Sequence, residues 1–279
     1  MVWRLIRSRF KRLFIHAHPT LFVNYAPFNP FLKERLLSII EKIMNLILLF
    51  KDDFTDGSNK VRLAGRRLKH VLEVHRAKAG DELCVGLEGN SIGTGTVTHI
   101  DDNVLKMDIE LKKAPPAPLP LTLVLALPRP KALKRVLFSA SAMGIKRIFL
   151  INAFRVEKSF WQSPVLDGKT IKEQLILGLE QAKDTILPEV FLRNRFKPFV
   201  EDELPDIAGK TLRMVAHPTA TGQCPRKISS PVTLAIGPEG GFIPYEIEKL
   251  TRTGFLPVNL GERILPVETA VPFLTSRLF

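Results

Sequence analysis

Residues 236–250 read IGPEGGFIPYEIEKL, so three glycines, one proline and one carboxylate stand between an apolar run and a stretch with helical spacing. Gly237, Gly240 and Gly241 let a ligand approach the main chain with no Cβ in the way. Pro238 removes a donor and stiffens the turn. Glu239 would repel a bound phosphate, and the phosphate-cradling patterns GxxxxGK[ST] and GxGxxG are absent from the chain. The residue types therefore suit a nucleoside ligand without phosphates that carries a positive centre. A tight strand-to-helix connection with an acid near a helix start would use the same residues. Two further strand ends have a similar texture, AHPTATGQ with His217 and NLGERIL with Leu260, Gly261, Arg263, Ile264 and Leu265.

These turns need strands and helices to hold them. LTLVLAL (121–127) is nearly continuous in apolar residues, as in a strand buried on both faces of a parallel sheet. PKALKRVLFSASAMG follows as a helix stopped by Gly144, then IKRIFLI as a strand. TIKEQLILGLEQAKDTI reads as a helix, TLRMVAH and VTLAIG as strands, PYEIEKLTRTG as a helix, LPVNLG as a strand and PVETAVPFLTSRL as a closing helix. Strand and helix in alternation predict an α/β fold with a parallel sheet.

Upstream the texture differs. NLILLF, ELCVGL, TGTVTHI and VLKMDIEL read as short strands separated by turn residues, and RRLKHVLEVHRAK between the first two as a helix. On that helix Leu68, Val71, Leu72 and His75 share one face, while Arg66, Arg67, Lys69 and Arg76 lie off it. This pattern predicts a small β-barrel-like module over 44–113, a proline-rich linker over 114–120 and an α/β domain over 121–279. Residues 1–43 carry eight Lys or Arg against Glu34 and Glu41. They suit a transit-type leader, a basic RNA-binding arm, or an extension upstream of a true start at Met44; we adopt the last, because element-like patterning begins there.

The 279 residues carry a formal net charge of +13, which favours a polyanionic partner, RNA or DNA before an anionic membrane. No apolar run reaches the roughly 18 residues of a membrane span. Cys84 and Cys224 are far apart in sequence, and His70 and His75 have no ligand partners at metal-site spacing, so neither a disulfide framework nor a metal is expected. A reducing cytoplasm fits.

LAIGPEGGF followed by NLGERILPVETA resembles the ribosomal RNA small-subunit methyltransferase E family, within the SPOUT class of RNA methyltransferases. HVLEVHRAKAGDEL, VEKSFWQSP and LEQAKDTILPEV add to the resemblance, which runs from Met44 to the end. It implies a PUA-like N-terminal β-barrel, a parallel sheet with a C-terminal trefoil knot, S-adenosylmethionine as cofactor, a homodimer, and methylation of N3 of a uridine in 16S rRNA of the 30S subunit. Three motifs depart from the family pattern: Pro266 stands where an arginine is usual, Ala142 where an acid is usual, and Asp184 and Thr185 where an arginine commonly follows Glu-Gln. Another RNA base as target, or an RNA-binding paralogue without activity, are the alternatives.

On this resemblance His217, Ile236, Gly237, Pro238, Glu239, Gly240, Gly241, Leu260, Gly261, Ile264 and Leu265 enclose the cofactor. Arg263 would stabilise charge developing on O2 or O4 of the base, and Glu268 would take the N3 proton. An ion pair of Arg263 with Glu239 or Glu262, and a first-turn carboxylate at Glu268, are the purely structural roles these residues would otherwise have. Arg66, Arg67, Lys69 and Arg76 are expected to meet RNA phosphates, with Lys158 as a second contact and Trp161 stacking on a base.

Overall fold

The computed structural model describes residues 45–55 and 59–279. The expectations for residues 1–43 lie outside them.

Two sheets form. The first, in residues 45–113, has five strands in the order β1-β3-β4-β5-β2, with β1 at Ile47–Leu49, β2 at Lys60–Leu63, β3 at Glu82–Leu87, β4 at Ile92–Ile100 and β5 at Leu105–Lys113. Burial alternates along β5, because one face packs inward and the other meets solvent. β1 and β3 pair in parallel, and the chain between them supplies β2 and the helix α1, Gly65–His70. The sequence predicts neither that parallel pair nor β2. After His70 the helix widens into a π turn, Val71–His75, and stops at Arg76 in the left-handed region at φ 53°. Leu68 and Val71 are buried as expected.

The second sheet has six strands in the order β11-β9-β10-β6-β7-β8, every neighbouring pair parallel. Its strands are β6 (Leu119–Ala126), β7 (Ile145–Ile151), β8 (Glu189–Arg193), β9 (Leu212–Ala216), β10 (Val232–Ile236) and β11 (Leu256–Val258). β6 and β10 are central, and from Leu121 to Ala126 and from Val232 to Ile236 every residue is buried. That explains their continuous apolar runs. β6 begins two residues inside the expected linker, and Pro120 sits at a register irregularity against β7, where its missing N–H leaves no gap in a regular ladder.

The helices are α2 (Pro130–Ala142), α3 (Gly168–Ala182), α4 (Leu204–Ala208), α5 (Pro244–Arg252) and α6 (Val267–Leu278). α2 starts with Pro130 at its first position, where no intrahelical donor is needed. It packs against α3 and α6. Gly178 of α3 lies so close to α2 that a Cβ would stand 2.4 Å from the Phe138 carbonyl.

α3 also carries the small sheet. The Leu46 amide donates to the Glu180 carbonyl at 2.8 Å, and the Gly89 amide to the Thr185 carbonyl at 2.8 Å. The Thr185 hydroxyl donates to the Asn90 carbonyl at 2.5 Å, and Arg66 meets the Glu180 carboxylate with two bonds of 2.9 and 3.0 Å. Lys172 reaches Glu88 at 3.1 Å. Below Thr185, Asp184 is buried in an ion pair with Lys146 at 2.6 Å, and the same ammonium donates to the Ile186 carbonyl at 2.7 Å. Thr185 therefore joins the two sheets, and Asp184 ties the end of α3 to β7.

Candidate active site

Strand order places the glycine turn. From β6 the chain moves to β7 and β8 on one side, whereas from β10 it moves to β11 on the other. Connections of one hand then put α2 and α5 on opposite faces, and a crevice opens between the carboxyl ends of β6 and β10. The Gly-Pro-Glu-Gly-Gly turn stands at that switch point.

Local contacts make the turn rigid. The Gly241 amide donates to the Pro238 carbonyl at 2.7 Å. A Cβ on Gly237 would lie 2.8 Å from the Phe242 nitrogen, so the chain doubles back only over a glycine. Gly241 has φ +72°, with open space where a side chain would point. Glu239 does not face a ligand alone: its Oε1 accepts the Arg129 amide at 2.9 Å, fastening the turn to the loop after β6. Arg155, from the loop after β7, lies across Gly240 and donates to its carbonyl.

The loop after β9 supplies His217, whose amide donates to the Val258 carbonyl at 2.9 Å. The Thr219 amide donates to His217 Nδ1 at 3.4 Å, which leaves Nε2 as the N–H facing the Phe242 carbonyl, also at 3.4 Å. His217 thus joins two of the three loops. The segment after β11 is more open. Gly261 has φ +111° with empty space at its Cβ position. The amides of Leu260, Glu262, Arg263, Ile264 and Leu265 have no hydrogen-bond partner among the described residues. Main-chain donors without a protein partner and open space beside Gly241 and Gly261 fit a polar nucleoside ligand held by main-chain bonds.

The loop over residues 217–231 grips both ends of the terminal segment. Asn259 exchanges main-chain bonds with Gly222 and Cys224 at 2.8 and 3.0 Å, and the Ile228 amide donates to the Leu278 carbonyl at 2.6 Å. Arg277 Nε donates to the Cys224 carbonyl at 2.9 Å. Burial pushes the Cys224 thiol up from its ordinary pKa, with Arg277 acting weakly the other way.

A family profile described as the RNA methyltransferase domain matches residues 115–279. The chain belongs to that family. The match takes in the six-stranded sheet and its loops and stops short of the small sheet. The chain is 28% identical over 232 residues to the ribosomal RNA small subunit methyltransferase E of Treponema pallidum (strain Nichols), covering 81% of this chain and 87% of that one. It is 23% identical over 237 residues to the ribosomal RNA small subunit methyltransferase E 1 of Borreliella burgdorferi, covering 81% and 94%. Among solved structures, the ribosomal RNA small subunit methyltransferase E of Neisseria gonorrhoeae, determined with S-adenosyl methionine bound, superposes with a TM-score of 0.65 at 19% identity, covering 81% and 93%. That likeness shows a shared fold.

Within this RNA methyltransferase domain Ile236, Gly237 and Pro238 are buried, and Glu239 and Gly240 are exposed on the turn. Leu260 packs against the core, Leu265 is half-buried and Ile264 is 78% exposed. Arg263 is exposed and pairs with neither Glu239 nor Glu262. Glu268, in the first turn of α6, accepts a bond from Arg135 at 3.1 Å; the two line a groove of about 370 Å³ with Lys134, Phe138, Ser139 and Gln174. Pro266 caps that helix from outside, one position before the helical start expected of it.

Of the basic face, Lys69 and Arg76 are exposed, and Arg66 is half exposed beside Glu180. Arg67 is mostly turned inward: its guanidinium takes both oxygens of Asp53 at 2.5 and 2.7 Å and the Leu48 carbonyl at 2.9 Å and lies over the Phe50 ring, with the side chain 18% exposed. Trp161 is likewise half-buried against the core and donates to Asn152 at 3.0 Å, which leaves only part of its ring accessible. Lys158 is exposed.

One residue central to the site escapes sequence reasoning. Glu246, 2% exposed, accepts the Ile243 amide at 2.9 Å and the Phe154 amide at 2.7 Å, tying the loop after β7 to the loop after β10. Its position three residues into a helix that opens with proline was the available signal.

Proposed function

We propose that this chain transfers a methyl group from S-adenosylmethionine to N3 of a uridine in the 16S rRNA of the small ribosomal subunit. One observation carries the reading: the glycine turn stands at the switch point of a parallel sheet, in a domain of the RNA methyltransferase family, beside a segment of open main-chain donors. The names of the relatives from Treponema pallidum and Borreliella burgdorferi support a small-subunit rRNA target. The structure from Neisseria gonorrhoeae supports the cofactor.

Gly237, Gly240, Gly241, Leu260, Gly261 and Leu265 hold the cofactor by main-chain bonds and apolar contact, with His217 and Glu239 fastening the loops around it. The bound cofactor supplies a sulfonium methyl, electrophilic without any metal. The protein must position N3 in line with that methyl and favour its deprotonated form. Arg263, free of ion pairs among the described residues, stabilises negative charge on O2 or O4 of the uracil. Glu268 takes the N3 proton, which frees the in-plane lone pair of N3 for the methyl that the bound cofactor would supply. Lys69, Arg76 and Lys158 hold RNA phosphates and set the register of the substrate.

We further propose that residues 44–113 form a PUA-like RNA-binding domain, that 121–279 form a SPOUT domain with a trefoil knot, and that two copies associate in the cytoplasm. The grip of residues 217–231 on both ends of the terminal segment supports the knot. Phe273, 42% exposed on α6, supports the homodimer. Asp184 and Thr185 are used inside the protein, so that departure from the family pattern supports no change of target.

The test uses 30S subunits from cells lacking this protein, labelled S-adenosylmethionine and the purified chain, with the modified nucleoside mapped by mass spectrometry. Labelled 3-methyluridine at one 16S position is expected. Label in another nucleoside would move the target, and cofactor binding with no label on any RNA would leave an RNA-binding paralogue.

A further inference from the structure

Two large apolar side chains stand out from the surface more than any others among the described residues, Ile264 at 78% and Phe154 at 77% exposure. Both occupy loops at the carboxyl ends of strands in the six-stranded sheet. Phe154 is the less expected, because its backbone is not loose. Its amide is bound to the buried Glu246 carboxylate at 2.7 Å, and the next residue, Arg155, lies across Gly240 of the glycine turn. A fixed loop thus holds an aromatic ring in water beside the candidate active site.

The surroundings of the ring are basic. β7 neighbours β6, so the loop after β7 lies next to the one that carries Arg129 and Lys131 into α2. Arg129, Lys131, Arg155 and Lys158 are all exposed there, with Glu157 and Glu239 as the exposed acids. The core of a protein interface would surround such a ring with further apolar side chains. An isolated aromatic among cations suits a nucleobase, whose face stacks on the ring while its flanking phosphates meet the lysines. The pinned backbone also means that little ordering is lost on docking.

We infer that Phe154 is a stacking platform for an unpaired base of the RNA substrate, placed on the β6–β7 side of the sheet's carboxyl edge, while the cofactor loops occupy the β9–β10–β11 side. This rests on the RNA methyltransferase reading above. Phe154 acts as a positioning residue and takes no part in the bond exchange.

The experiment compares the full chain with Phe154→Ala and Phe154→Trp. Binding of a fluorescein-labelled short oligouridylate is followed by anisotropy, S-adenosylmethionine binding by calorimetry, and methyl transfer to 30S subunits by steady-state kinetics. Loss of one stacked base predicts about tenfold weaker oligouridylate binding and about a tenfold higher KM for subunits in Phe154→Ala. kcat and cofactor affinity should change less than about twofold, and Phe154→Trp should restore both losses. Unchanged RNA binding in Phe154→Ala would overturn the inference while leaving the enzymatic reading intact. So would a shift of Phe154→Ala from dimer to monomer in sedimentation, which would assign the ring to a contact between copies. A wild-type chain that binds RNA without methylating any would overturn the enzymatic reading and leave the platform standing.

Discussion

The Glu246 carboxylate, 2% exposed, accepts the Phe154 main-chain N–H at 2.7 Å across 92 positions of sequence. Its other oxygen accepts the Ile243 N–H at 2.9 Å, so one side chain caps α5 and fixes the loop after β7. Each bond to a buried charge contributes about 1.5–3 kcal/mol. Glu246→Ala should therefore lower stability by about 3 kcal/mol in urea unfolding. Glu246→Gln keeps one acceptor oxygen and should lose roughly half as much.

Gly237 and Gly241 should answer differently to alanine. In Gly237→Ala the new methyl meets the Phe242 nitrogen at 2.8 Å, so the turn has to shift. In Gly241→Ala the methyl enters open space and the cost is a left-handed backbone, about 1 kcal/mol. Calorimetry should find at least about a tenfold loss of S-adenosylmethionine affinity for the first, the 1.4 kcal/mol of one displaced donor. The second should appear mainly as a lower unfolding temperature.

Lys146 and Asp184 form a pair with side chains only 13% and 4% exposed. Removing one partner leaves a buried charge, so Asp184→Ala should cost about 3–5 kcal/mol. Lys146→Met combined with Asp184→Leu removes both charges and should recover most of that loss, measured by chemical denaturation. A double variant no better than the single one would show that the bond from Lys146 to the Ile186 carbonyl matters more than the pair.

Arg67 and its exposed neighbours separate stability from RNA binding. Arg67→Ala should unfold at lower denaturant, by about 3 kcal/mol, because Asp53 loses its partner. Lys69→Ala with Arg76→Ala should leave the unfolding midpoint in place. If each residue meets one phosphate of single-stranded RNA, the slope of log affinity against log salt should fall by about 1.4.

The two thiols should be sluggish. Burial raises the pKa of Cys84 and of Cys224, so both hold less thiolate at a given pH than a free cysteine does. With a disulfide reagent at mildly alkaline pH, Cys84 should react slowly, and the 2% exposed Cys224 only on unfolding.

The central strands were legible because burial on both faces leaves a continuous apolar run, as in Leu121 to Leu127. β8 was not: it lies at the sheet edge, where Glu189, Val190 and Arg193 need no such run. The helical turns from Phe196 to Ala208 were hidden by Pro198 and Pro205, which break the helical spacing. The glycine turn could be found because Gly237 and Gly241 answer local demands of the backbone. Glu246 and Arg67 could not, since what each one does is set by a partner far off in sequence, Phe154 for one and Asp53 for the other. Asp184 read only as a departure from the family pattern until Lys146 stood beside it.

Leu46 and Arg66 bond to Glu180 of α3, and Gly89 and Asn90 bond to Thr185 just beyond its end, which makes that helix and its exit a common spine for the two sheets. Along such a spine the placing of Lys69 relative to the glycine turn is set by the fold itself. On the proposed function, an RNA strand that met both places would have to bring its own curvature to a separation fixed in advance, so that its shape would be judged before its bases.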